Sequence, residues 1–229
     1  MGRVTARRPY WSMWHARYDM EGHPVQRRLA TVQRAIRDFL DRRAGEDLVV
    51  ISVCSGEGRD ILGALADYPG RAAVRGRLID IEPANTEVAR ARAAEIGLHR
   101  LEVVTGDASV TTAYEGAVPA DLVLVCGVLG CLSNDDIENT VELLPQLCAA
   151  DATVIWTRHR RKPDQTPEIR RWFRDGGFEE QSFESGVPGS RFFWSVGVFN
   201  FRGKPQQLQH GLRLFTFGSA VQDTAAKKV

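Results

Sequence analysis

Leu48-Val49-Val50-Ile51-Ser52-Val53-Cys54-Ser55-Gly56-Glu57-Gly58-Arg59-Asp60 is the stretch whose reading decides the fold. Its first six residues form a nearly continuous apolar run bounded by a glycine turn, which predicts a central parallel strand buried on both faces. Gly56 and Gly58 let a backbone approach another group closely, and a short helix pattern from Arg59 to Ala66 begins at once. Strand, glycine turn and helix together form the opening unit of a doubly wound α/β sheet.

Toward the C-terminus the same alternation continues. Strand patterns at Arg77 to Ile81, Leu101 to Thr105, Leu122 to Val125 and Thr153 to Thr157 are interleaved with helix patterns. One helix runs from Pro83 to a Gly97 cap. A second is opened by the capping box Ser133-Asn134-Asp135-Asp136 and is expected to bend at Pro145. A third runs from Thr166-Pro167 to Gly176-Gly177. Phe178 to Glu184, Ser195 to Phe201 and Leu212 to Phe217 then read as strands with no helix between them. The prediction is a doubly wound, mostly parallel sheet of the seven-stranded type with an antiparallel C-terminal edge. Toward the N-terminus, His23-Pro24 opens an amphipathic helix on Val25, Leu29, Val32, Ile36, Phe39 and Leu40, with arginines opposite. The expected organisation is a helical lid over 1–47, a Rossmann-like domain over 48–201 and a C-terminal extension over 202–229.

Composition narrows the function classes. The 229 residues carry a net charge of +1, 43% hydrophobic and 26% charged residues, so neither disorder nor a membrane span is favoured. No apolar run approaches the ~20 residues of a transmembrane helix. The leader Met1 to Arg8 lacks the apolar stretch of a secretory signal. Cys54, Cys126, Cys131 and Cys148 include no CxxC pair and have no histidines nearby, which predicts reduced thiols in a cytoplasmic protein and no metal site. Ten arginines among residues 1–43 form a basic segment that reads first as a solvated helix face. With no global positive field, a nucleic-acid partner is not expected.

In doubly wound sheets, ligands lie beyond the carboxyl ends of the strands. The second strand is expected to close on Asp80, 22 residues beyond Gly58, where a carboxylate can accept hydrogen bonds from both hydroxyls of a ribose. A dinucleotide site wants G-x-G-x-x-G, but Ile61 stands at the third glycine position, and Glu57 would face a pyrophosphate. A phosphate-free nucleoside bearing an ammonium and a sulfonium suits these carboxylates better.

Residues 48–200 resemble the class I S-adenosylmethionine-dependent methyltransferases, and the wider sequence resembles an uncharacterised actinobacterial group within that superfamily. Val50 to Gly58 is similar to the family's first motif, Leu78-Ile79-Asp80-Ile81-Glu82-Pro83 to its acidic second-strand motif, and Thr105-Gly106-Asp107-Ala108 to its adenine segment. Ala120 to Leu129 is similar to the fourth-strand motif along which the methyl passes. The resemblance implies S-adenosylmethionine as cofactor and S-adenosylhomocysteine as product. It places the methionine end at Gly56 and Gly58, the ribose at Asp80 and the adenine at Asp107, with Ser52, Cys54, Ser55, Glu57, Asp60, Ile81, Gly106 and Ala108 also in the cofactor set. Cys126 and Gly127 complete the cofactor set, and Gly127 and Leu129 line the methyl path. Ser52 stands where the family has an acidic residue, and Cys54 where it has its first glycine. Serine carries no charge to balance an ammonium, and Glu57, Arg59 and Asp60 are the nearby groups that could compensate.

Methyl transfer from a sulfonium needs alignment more than acid–base help, and a base only when the acceptor arrives protonated. His159, at the end of the fifth strand among Arg158, Arg160 and Arg161, is the first candidate base, and His15 is the second. Trp11, Trp14 and Tyr18, with Arg158 and Leu129, are the candidate acceptor contacts, the aromatic three suiting a flat substrate. Asp121, at the start of its strand, is expected on the edge away from the ligand. The chain has no Asn/Asp-Pro-Pro-aromatic signature after the fourth strand, no Pro-Cys dipeptide and no lysine before Lys162. These gaps argue against adenine or amide-nitrogen, cytosine-C5 and ribose-2′-O acceptors and leave a small molecule. A non-catalytic nucleoside-binding module and an NAD-type oxidoreductase remain as alternatives.

Overall fold

In the computed structural model, residues 16–20, 22–187 and 193–217 are described. Seven strands form one sheet in the order β3-β2-β1-β4-β5-β7-β6. They are β1 (Leu48–Val53), β2 (Val74–Asp80), β3 (Leu101–Thr105), β4 (Ala120–Val125), β5 (Cys148–His159), β6 (Phe178–Ser185) and β7 (Trp194–Phe201). β1 to β5 pair in parallel, and β7 joins β5 and β6 antiparallel. The chain order reverses at β1, which has β2 on one side and β4 on the other.

Among the described residues, five α-helices cover the sheet. These are α1 (Pro24–Arg42), α2 (Arg59–Leu65), α3 (Pro83–Glu95), α4 (Asn134–Leu143) and α5 (Thr166–Asp175). Each starts where its sequence says it should. Pro24, Pro83 and Pro167 occupy first-turn positions that need no backbone donor, and Ser133 Oγ accepts the Asp136 N–H at 3.1 Å as the expected cap of α4. At Pro145 the chain turns into a short 3-10 segment, Leu144–Gln146, rather than a bent α-helix.

Strand side chains alternate between two cores. Leu122 and Leu124 of β4 and Ile155 of β5 share one core with α1, α2 and α3 through Ile36, Phe39, Ile61, Leu62 and Ala89. Val123, Val125 and Trp156 meet α4 and α5 on the opposite face. There Trp156 stacks on Phe173 at 5.8 Å, and Phe173 packs on Phe199 at 4.8 Å. β1 is buried at all six positions, as a strand covered on both sides must be. Asp121 lies on the edge away from the strands' carboxyl ends, where its Oδ2 accepts the Val49 N–H at 2.9 Å.

One expected strand is absent. Leu212 to Phe217 makes only an isolated bridge between Arg213 and Val110. The segment runs instead as part of a strap, from Gln209 to Phe217, whose backbone is held by side chains of neighbouring elements. Asn139 Nδ2 donates to the Arg213 and Leu214 carbonyls, Asp136 Oδ1 accepts the Thr216 N–H, and Gln146 Oε1 accepts the Gln209 N–H. No helix among the described residues is long and apolar enough to cross a membrane.

Candidate functional site

The turn after β1 is the most constrained backbone near the switch point. Cys54, Gly56 and Gly58 all have left-handed φ, at +51°, +56° and +65°. The turn is tied to β2 by the Ser55 N–H, which donates to the Ile79 carbonyl at 2.8 Å, and by the Gly56 N–H, which donates to Asp80 Oδ2 at 2.8 Å. Cys54 holds a conformation that costs most residues ~1–2 kcal/mol, which is the physical reason a glycine would suit that position. At Gly58 a Cβ would lie 2.9 Å from both Leu62 and Leu78 side chains, so this glycine serves close packing of α2 on β2.

Beyond the carboxyl ends of β1, β2 and β4 lies a cavity of about 290 Å³. The turn contributes Cys54, Ser55, Gly56 and Glu57 to its wall, the first turn of α2 contributes Asp60, the end of β2 contributes Asp80 and Ile81, and the end of β4 contributes Cys126 and Gly127. Asp107 and Ala108 close one end and Tyr18 reaches it from the N-terminal side. Ser52 is 1% exposed and lies beneath the turn, off the wall; Gly58 and Gly106 also stand behind it.

Asp80 is 8% exposed. Its Oδ2 accepts the Gly56 N–H, and its Oδ1 accepts the Glu82 N–H and Asn85 Nδ2, both at 3.0 Å. A carboxylate offers about four lone-pair sites, so Asp80 can take one ligand hydroxyl as it stands and a second by releasing the Asn85 amide. Next to it Ile81 is 70% exposed, an apolar surface suited to the face of a flat base.

Asp107 Oδ1 accepts from both the Ser109 N–H at 2.9 Å and the Ser109 hydroxyl at 2.6 Å. Arg213, from the strap, donates to Ser109 Oγ at 2.6 Å and stands 3.6 Å from Asp107 Oδ2. Burial pushes the Asp107 pKa up, but the Ser109 bonds and the Arg213 guanidinium outweigh it and hold the carboxyl below its usual value. Arg213→Ala is therefore expected to raise the Asp107 pKa, read by carboxyl carbon NMR against pH; an unmoved titration would show that the strap does not act on Asp107. The stability cost should stay under ~1 kcal/mol, because the pair is half exposed.

Glu57 is committed to neighbours: its Oε2 lies 2.7 Å from Arg59 Nε and 3.5 Å from Arg92 Nη1. Arg59 also reaches Asp19 at 2.7 Å and stands 5.4 Å over the Tyr18 ring, docking the 3-10 turn Ala16–Asp19 onto the glycine turn. Burial, reinforced by Asp80 and Asp107, pushes the Cys54 thiol well up, and burial with Asp60 does the same for Cys126. Both are neutral thiols, and no cluster among the described residues could hold a metal ion.

Several residues stand away from the cavity wall. His159 is half-buried, its ring against Gly130, with Nδ1 accepting the Arg161 N–H at 3.4 Å. Burial lowers its pKa, assisted by Arg158 and Arg161, so the ring is neutral. Arg158 points to the α4/α5 face, where it donates to the Leu129 carbonyl while its Nε finds no partner; burial lowers its pKa too. Leu129 is 1% exposed in the turn after β4. Trp11, Trp14 and His15 lie outside the described residues.

Other wall residues carried no signal in the sequence. Arg28, Leu29 and Val32 come from α1, where they read as a solvated arginine and core apolars, and Phe217 comes from the strap. Thr157 was read only as the close of a strand; its hydroxyl accepts the Gly127 N–H at 2.8 Å beside the cavity.

No known family profile matches the chain, and no curated protein sequence does. Solved structures do. Magnesium protoporphyrin IX methyltransferase from Synechocystis PCC 6803, with bound S-adenosylmethionine, is 16% identical at a TM-score of 0.64, covering 83% of this chain and 90% of its own. The Burkholderia thailandensis 1,6-didemethyltoxoflavin-N1-methyltransferase, with bound 1,6-didemethyltoxoflavin and S-adenosylhomocysteine, is 17% identical at 0.59, covering 89% and 93%. A TehB-like S-adenosylmethionine-dependent methyltransferase from Corynebacterium glutamicum is 17% identical at 0.55, covering 84% and 98%. The fold is that of the class I methyltransferases. In this fold the cavity at the β1–β4 switch point is where a nucleoside ligand is sought.

Proposed function

We propose that the protein transfers a methyl group from S-adenosylmethionine to a small-molecule acceptor. The observation that carries the reading is Asp80. Its carboxylate closes β2 on the cavity wall opposite a left-handed turn, at the reversal of strand order. The wall also fits the group in detail. Ser55 Oγ is buried there without a hydrogen-bond partner, an unmet polar atom that a bound ligand can satisfy. Asp80 would hold the ribose, Ile81 and Ala108 the adenine face, and Asp107 the adenine edge.

When bound, the cofactor supplies a methyl already activated on a sulfonium. The chain's own work is to align the acceptor and exclude water. Leu29, Val32, Val128 and Phe217 give the rest of the cavity apolar walls. Tyr18 borders it from the N-terminal side. The structural neighbours whose names give a magnesium porphyrin and a toxoflavin precursor as substrates support a small acceptor. His159 can serve as a base only for an acceptor that reaches past the turn after β4.

An NAD-type ligand is the sharpest competitor. Ile61, at the position where a dinucleotide site needs glycine, is fully buried in the α1/α2 core, and the Asp60 carboxylate stands on the wall where a pyrophosphate would have to lie. Thermal melting with each ligand separates the two. At 100-fold excess over Kd, S-adenosylhomocysteine stabilises by ~2.7 kcal/mol. That corresponds to a rise of about 5–10 °C for a chain of this length. A shift with NAD and none with S-adenosylhomocysteine would overturn the proposal.

A further inference from the structure

The residue that the resemblance expects to balance an ammonium, the next-to-last of β1, is here Ser52, which is uncharged, 1% exposed and off the cavity wall. A cofactor with an amino-acid end still brings a positive and a negative group into this cavity, and unpaired charge in a partly dry site is costly. The acids and bases of the wall can be sorted by what already holds them. Glu57 sits between Arg59 and Arg92. Asp80 holds three N–H donors. Asp60 is different: its Oδ1 accepts the adjacent Ile61 N–H at 2.8 Å, and it forms no salt bridge among the described residues. From α1, Arg28 brings a guanidinium to the same wall and donates from Nη2 to the Tyr18 hydroxyl at 2.6 Å. Both charges act on Cys126, at the end of β4, Asp60 raising its thiol pKa and Arg28 lowering it. The end of β4 is the place between the ribose carboxylate on β2 and the acceptor side near β5.

We infer that Asp60 and Arg28 form a two-handed clamp for the zwitterionic end of the cofactor, Asp60 taking the α-ammonium and Arg28 the α-carboxylate. The inference rests on the S-adenosylmethionine reading above and assigns the charge that Ser52 leaves unsupplied. A planar guanidinium matches a carboxylate in a fork, and an ammonium is the compact donor a single carboxylate can hold. Burial pushes the Asp60 pKa up against the pull of Arg28 and of its backbone N–H donors, as expected of a carboxylate whose counter-charge arrives with the ligand. Tyr18 has a role within the same device, since its hydroxyl orients the guanidinium while Arg59 and Asp19 hold the turn that carries it.

Calorimetric titration of the full chain with three probes tests this. S-adenosylhomocysteine carries both charges, its decarboxylated form only the ammonium, and 5′-methylthioadenosine neither. For the wild type, affinity should fall in that order. Asp60→Asn should weaken S-adenosylhomocysteine and its decarboxylated form by about 10- to 100-fold, with 5′-methylthioadenosine unchanged within about twofold. Arg28→Gln should weaken S-adenosylhomocysteine alone. Arg28 lies on a half-buried helix surface, so that variant keeps the test decisive if Asp60→Asn fails to fold. Equal losses for all three probes, or no losses, would overturn the clamp while leaving the cofactor reading intact. A wild type that binds none of the three would remove the cofactor reading and the clamp with it.

Discussion

Gly76→Ala is expected to abolish folding or to lower stability by ~4 kcal/mol or more, measured as the midpoint of urea unfolding. Gly76 pairs with Val50 in the parallel register of β1 and β2 and has φ +144°. A Cβ there would lie 1.9 Å from the Val50 carbonyl oxygen and 2.7 Å from its nitrogen. Those atoms belong to the backbone of a strand buried at every position, so no side chain can swing aside. The strands must part, and β1 and β2 are the two that carry the glycine turn and Asp80. Against a total stability of ~5–15 kcal/mol this is a large fraction. Gly116→Ala is the control: its φ is also positive, +77°, but nothing lies within 4 Å of the added methyl, so it should cost only ~1 kcal/mol of backbone strain. If the two variants unfold at similar urea concentrations, the close approach at Gly76 does not limit stability.

The parts of the fold that could be read from sequence are those whose signal is local. β1 and β4 announce themselves as apolar runs, the proline starts of α1, α3 and α5 and the Ser133 cap are stated within four residues, and the antiparallel edge follows from strands without helices between them. The strap was misread for a physical reason. Leu212, Leu214 and Phe215 do carry apolar character, with Leu214 and Phe215 1% exposed. Its backbone, however, is satisfied by Asn139, Asp136 and Gln146 from elements some 60 to 80 residues away, and no periodicity records that.

At the site, the turn and Asp80 were legible because their chemistry is local as well. The end of β5 was not. A strand covered on both faces gives no sign of which face each side chain takes. Thr157 shares the parity of Ile155 and meets the cavity, whereas Arg158 shares that of Trp156 and is carried beneath Leu129. Arg28 was hidden differently. It is one of several arginines on α1, and only the packing of that helix over the β1–β4 switch singles it out.

Asp80→Ala is expected to weaken S-adenosylhomocysteine binding by roughly 100-fold, by a double loss. The ribose loses its carboxylate partner, which for a charge-assisted bond is ~1.5–3 kcal/mol. The empty cavity also loses its shape, because Asp80 holds the turn through the Gly56 N–H and the start of α3 through the Glu82 N–H and Asn85. Freeing the buried Gly56 N–H leaves a donor without a partner, so a stability loss of ~1–3 kcal/mol should accompany the binding defect. Asp80→Asn separates charge from shape less well than such swaps usually do. The groups facing both carboxylate oxygens are donors, and an amide must turn its own NH2 toward one of them. Asparagine should therefore behave almost as badly as alanine, whereas a site that needed only a polar side chain there would tolerate it. Calorimetry on both variants, with melting curves to follow the turn, reads the two losses separately. Wild-type affinity in Asp80→Ala would mean that the sugar lies elsewhere, and wild-type affinity in Asp80→Asn alone would mean that charge and the three donated N–H groups play no part in holding it.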